Sequence, residues 1–228
     1  ACPVQNGWLA RALRILAEVG EDAPEHGWVL IIKSYTEPDA AAREAMFREA
    51  ITIGRRFADP NIEIESLASL AGLYLMTGRD NEGLALLDES MAALCAGELT
   101  EIASVDNLFC GMFWACELVN DVVRADQWMR ATAEVMASRN VVGAFCRAHY
   151  GGILTAAGRW QEAEVQLIDA ARHFDRGMPE RRAAAIIRLA GAVLAGQNDE
   201  RTEARRYMGL EILAACRKGS QGNVTSEN

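Results

Sequence analysis

Histidine is scarce in this 228-residue chain, with three in all, which leaves little material for imidazole-based metal binding or acid–base chemistry. Positive charge is also short. Lys and Arg number 23 against 32 Asp and Glu, a formal net charge of −9, whereas a protein that works through nucleic-acid phosphates is basic. Direct nucleic-acid binding by this chain is therefore disfavoured. No apolar run approaches the roughly 18 residues of a membrane span, so no membrane association is expected. None of the six cysteines (Cys2, Cys95, Cys110, Cys116, Cys146 and Cys216) forms a C-x-x-C pair. Six in a chain of this length are too dilute for a disulfide scaffold, and they read as reduced thiols in a cytoplasmic protein. No G-x-x-x-x-G-K-[ST] loop and no G-x-S-x-G elbow is found, and alternating β-branched runs are missing.

What is there is helical periodicity. Ala-, Leu-, Arg- and Glu-rich segments alternate with short breaks at Gly, Asn, Asp and Pro. The spacing predicts helices over 8–18, 25–36, 40–57, 61–77, 81–95, 101–119, 122–138, 142–157, 160–174, 180–195 and 200–216. Short loops between them make successive helices antiparallel neighbours. Residues 218–228 are polar and read as a disordered tail.

An internal repeat organises these helices. Gly78-Arg79 and Gly158-Arg159 each close one helix and open the next. Around Gly158 lie Tyr150, Gly151 and Leu154 on the first helix and Ala163, Leu167 and Ala170 on the second. The same offsets from Gly78 give Leu70, Ala71 and Tyr74, then Gly83, Leu87 and Ser90. From Asn120 they give Met112, Phe113 and Cys116, then Ala125, Met129 and Thr132. From Asp39 they give Ile31, Ile32 and Tyr35. Small residues at two of these positions let paired helices approach closely, and large ones fill the space between pairs. The pattern predicts an all-α fold: a tetratricopeptide-like α-solenoid of about five antiparallel helix pairs, forming a single domain over 1–217. The breaks fall about 38 to 42 residues apart, wider than the ideal ~34.

The ordered segments Glu25-His26-Gly27-Trp28, Gly97 to Ala103, Asp121 to Trp128, Cys146 to Tyr150 and Gly158 to Glu164 resemble the helical repeat region of large bacterial LuxR-type transcriptional regulators. The resemblance covers about residues 8 to 210. In that family the region accompanies a nucleotide-binding or cyclase-like domain and a DNA-binding helix-turn-helix. It implies a regulatory interaction module here: non-catalytic, binding a protein or peptide segment or a small effector. The alternatives are a structural adaptor for protein partners and an enzyme built on a helical solenoid, for which His26, Cys110, Glu117 and His149 are the candidate groups.

Candidate chemistry is thin elsewhere. Cys146 and His149 share a helix face, but a core thiol beside a half-exposed imidazole accounts for them, and no metal or cofactor is expected. Glu63 and Glu65 point to different faces. Asp80 and Glu82 read as helix-start carboxylates. The concave face of the first helices of each pair is where binding is expected. The register places His26, Val29 and Lys33 there, then Glu65, Ala68, Gly72 and Leu75, then Asn107, Cys110, Trp114 and Glu117, then Phe145, Ala148, Gly152 and Thr155. The expected groove centres on Trp114, with Asn107 and Glu117 as polar contacts, Cys110 and Thr155 beside them and Phe145 as a wall. The alternative is that Trp114 packs in the core.

Overall fold

The computed structural model describes residues 3–20, 23–132, 144–174, 185–187 and 189. Every regular element among them is an α-helix: α1 (Pro3–Val19), α2 (Glu25–Ser34), α3 (Ala40–Phe57), α4 (Pro60–Met76), α5 (Asp80–Cys95), α6 (Ile102–Val119), α7 (Val122–Ala131), α8 (Ala144–Ala156) and α9 (Trp160–His173). The predicted helix 200–216, residues 133–143, all of 180–195 except 185–187 and 189, and the tail lie outside the described residues. The contacts group into two compact units, residues 1–115 and 116–228, whereas the sequence reading sets no boundary within 1–217.

Helix starts are fixed by short polar side chains. Asp39 accepts from the backbone N–H of Ala42 at 2.8 Å, Asp59 from Asn61 and Ile62, and Asp121 from Arg124. Each satisfies donors that a first turn leaves unpaired. Helix ends at Gly78 and Gly158 carry φ of 78° and 76°, a left-handed conformation open to glycine at little cost. Glu82 is not a cap. It accepts from Arg79, the residue before the helix.

In the first unit, α4 packs on α3 and α5. Leu70, Ala71, Tyr74, Gly83, Leu87 and Ser90 are all buried, as the repeat register predicts. A Cβ on Gly83 would lie 2.8 Å from the Ala71 carbonyl oxygen, so the α4–α5 crossing is closed to a side chain there. In the second unit, α8 and α9 form the equivalent hairpin. Tyr150, Gly151, Leu154, Ala163, Leu167 and Ala170 are buried, and a Cβ on Gly151 would meet Leu167 Cγ at 2.5 Å. Around the Asn120 break, Met112, Phe113, Cys116, Ala125 and Thr132 are buried and Met129 is half-buried.

The register fails at the first break. Ile32 and Tyr35, expected inside, are 40 % and 56 % exposed, while Val29, expected in the groove, is buried with Leu30, Ile31 and Ser34. The reason is the connection. α2 ends at Ser34 and α3 starts at Ala40, so counting back from Asp39 falls short, one residue past the buried Leu30, Ile31 and Ser34. Leu75 and Ala148, also expected to line the groove, are buried as well. Both sit where a broad core-facing stripe covers more than the narrow seam of the repeat template.

Candidate functional site: a cavity over α4

In the first unit α4 and α6 meet one repeat apart. Asn61, buried at the start of α4, accepts from the backbone N–H groups of Thr100 and Glu101 at 3.0 and 3.1 Å and donates to the Thr100 hydroxyl at 3.0 Å. That clamp sets the entry of α6. Four residues further along α4, Glu65 accepts from Asn107 of α6 at 3.2 Å, and seven residues beyond that pair on both helices the indole of Trp114 lies 3.6 Å from where a Cβ on Gly72 would be. Both pairs are 42 residues apart in sequence, the spacing from the Gly78 break to the Asn120 break.

The result is a cavity of about 280 Å³. Its floor is the small-residue strip of α4, Ala68 and Gly72. Its walls include Trp114 and Asn107 of α6, Tyr35 after α2, and Arg43 and Phe47 of α3. The small residues are what make it. A larger side chain at Gly72 would fill the space that the indole borders. Trp114 is half-buried, so neither of its expected places is fully right: it is a wall, with one face packed and one open.

Two charged groups reach this space. Glu65 is 7 % exposed. Burial pushes its carboxyl up from near 4.5 to about 7, Asn107 pulls it down in part, and Glu101 pushes it up further. Arg43 lines the same cavity, and its Nε is shut off from water without a hydrogen-bond acceptor. Burial pushes the Tyr35 hydroxyl up from its ordinary value; Ser69 draws it down, Glu65 raises it and Arg43 lowers it. Glu63, on another face of α4, is held instead by Arg55 at 2.7 Å.

The six residues expected in one groove are divided. Asn107 and Trp114 line the cavity, and Cys110, half-buried on the same helix, is not among its walls. The other three lie in the second unit, each engaged there. Glu117 Oε2 is 2.6 Å from His149 Nδ1. Phe145 packs edge-on against Phe174 with centroids 5.1 Å apart, in a cluster with Ala148, Ala170 and Ala185. The Thr155 hydroxyl donates to the Gly151 carbonyl at 2.7 Å. Cys146, three residues before His149 on α8, is buried, and among the described residues no group of three or more His, Cys, Asp or Glu side chains could hold a metal ion.

A second polar feature repeats in each unit. In the first, Glu44 accepts from Tyr74 at 2.7 Å, from Arg48 and from Arg79, whose guanidinium stacks on the Tyr74 ring at 3.6 Å. Tyr74 and Arg48 hold the Glu44 carboxyl below its usual range. In the second, Asp126 accepts from Tyr150 at 2.8 Å and from Arg159, which also binds Glu162. Burial and Asp126 push the Tyr150 hydroxyl up to about 12. Each network ties a hairpin to the helix before it. The pairing of Gly-Arg with a Glu three residues on was visible in sequence; the acid across the interface was not.

Comparison with known proteins adds a fold and little else. The chain is similar in fold to BtubC (BKLC) from P. vanneervenii. That crystal structure matches 94 % of this chain and 90 % of its own, with a TM-score of 0.71 and 18 % identity, a likeness of architecture alone. No family model matches. Two transposases for insertion sequence element IS1081, from Mycobacterium tuberculosis and Mycobacterium bovis, are each 65 % identical to it over 34 residues. That stretch is 15 % of this chain and 8 % of each transposase, so the chain spans about a twelfth of the length of those relatives. Among the described residues no helix is long and apolar enough to cross a membrane.

Proposed function

We propose that this chain is a non-catalytic, tetratricopeptide-like binding and signal-relay module of the kind found in LuxR-type regulators, working in the cytoplasm. The cavity over α4 is its binding site, for a small effector or a short protein segment. One observation supports this above the others: the half-buried indole of Trp114 stands beside Gly72 and leaves a walled space that the core does not fill. A cavity lined by aromatic and small apolar groups with a few fixed polar atoms is the usual form of a ligand site. The net charge of −9 supports a module that leaves nucleic-acid contacts to other domains. Contact with several helices would let an occupant favour one arrangement of them over another.

A thermal-shift screen of metabolites and short peptides against the wild type and Trp114→Ala tests the proposal. Hits should depend on Trp114, and the variant should lose less than the ~3–5 kcal/mol typical of truncating a fully buried Trp. A Trp114→Ala protein that no longer folds would make the indole a core residue and remove the site.

A further inference from the structure

The cavity holds one carboxylate and one guanidinium that do not neutralise each other. Glu65 on α4 receives a single amide hydrogen bond, from Asn107, and its charged neighbour Glu101 repels it. Arg43 on α3 makes no ion pair among the described residues, and its Nε lacks an acceptor. Burying such groups without partners costs stability. The cost is met when a ligand brings the missing charges. A singly charged ligand fits badly: an amine would also face Arg43, and an acid would also face Glu65. Trp114, Leu73 and Met76 line the same cavity and suit an aliphatic chain. At about 280 Å³ the space lies at the small end of ligand sites, which begin at roughly 300 Å³.

We infer that the cavity binds a small zwitterion, an α-amino acid with an apolar side chain, with its ammonium on Glu65 and its carboxylate on Arg43. The inference rests on the binding-site reading above and specifies the ligand's chemistry. It also has a proton signature. The groups that act on Glu65 are Asn107, Glu101 and Tyr35; an ammonium placed there stabilises the carboxylate and lowers its proton affinity. Uptake near pH 6.5 therefore releases protons.

Isothermal titration with L-norleucine, hexanoate and pentylamine tests this, since the last two each lack one charge of the first. A panel of the twenty amino acids is run alongside. Norleucine or another apolar amino acid should bind at least tenfold more tightly than either single-charge analogue. Its binding heat at pH 6.5 should change between phosphate and Tris buffers as protons are released. Glu65→Gln should weaken the amino acid and pentylamine but not hexanoate; Arg43→Gln should weaken the amino acid and hexanoate but not pentylamine. Circular dichroism checks that both variants fold. Equal binding of all three probes, or indifference to both substitutions, overturns the zwitterion and leaves a binding cavity. If no amino acid binds while other compounds give Trp114-dependent shifts, the ligand class is wrong and the site stands. If nothing binds in either experiment, both fall.

Discussion

Glu65 carries the sharpest residue-scale consequence. Its carboxyl titrates near 7 in the folded chain and near 4.5 when unfolded, so between those values the folded state holds the proton and the unfolded state does not. Stability from this group is complete below about pH 4.5 and is lost as pH rises through 7. Glu65→Gln removes the effect. The variant should gain on the wild type between pH 4 and pH 8, by up to about 3 kcal/mol at roughly 1.4 kcal/mol per unit; urea unfolding at both pH values measures it. Gly151 makes a second case. A Cβ there would sit 2.5 Å from Leu167, so Gly151→Leu should cost about 1–3 kcal/mol or more by overpacking, read by the same unfolding. Gly72 is different, because a Cβ would lie at an ordinary 3.6 Å from Trp114. Gly72→Ala should therefore stabilise by up to about 1 kcal/mol through helix propensity while narrowing the cavity, a gain visible as a raised Tm and weaker binding.

At the scale of elements, the two Tyr–acid–Arg networks join each hairpin to its predecessor. Tyr150→Phe removes the hydroxyl that Asp126 accepts and should cost about 1 kcal/mol. A double-mutant cycle with Asp126→Asn should show coupling of at least ~0.5 kcal/mol, because the two groups share one network. Much of this level was legible beforehand. The span 40–57 matches α3, and most other described helices begin and end within one or two residues of their predicted bounds. α1 begins earlier, at Pro3, where a proline fits the first turn. The small–large register holds at the Gly78 and Gly158 breaks because a three-residue connection, Thr77 to Arg79 or Ala157 to Arg159, keeps the helix phase. It fails before Asp39, where Tyr35 to Asp39 is longer. The cavity was half legible. Asn107, Trp114, Ala68, Gly72 and Glu65 were placed on the right helix faces, but Tyr35 and Arg43 come from the helices whose phase was lost.

For the whole molecule, the all-helical architecture is shared with BtubC at 18 % identity, so the arrangement is held by pattern more than by particular side chains. The two hairpins illustrate how. In one, alanine on the first helix (Ala71) is matched with glycine on the second (Gly83); in the other, glycine comes first (Gly151) and alanine second (Ala163). What excludes a methyl from the glycine differs between the two: at Gly83 it would meet the Ala71 carbonyl oxygen and Leu75, whereas at Gly151 its nearest neighbours are all atoms of the Leu167 side chain. Every residue carries a carbonyl, so no change of side chain at position 71 makes room at Gly83. Gly83→Ala should therefore destabilise the first unit, and adding Ala71→Gly should restore little of the loss. The first crossing is closed to drift by backbone, the second by a neighbour that can itself be exchanged.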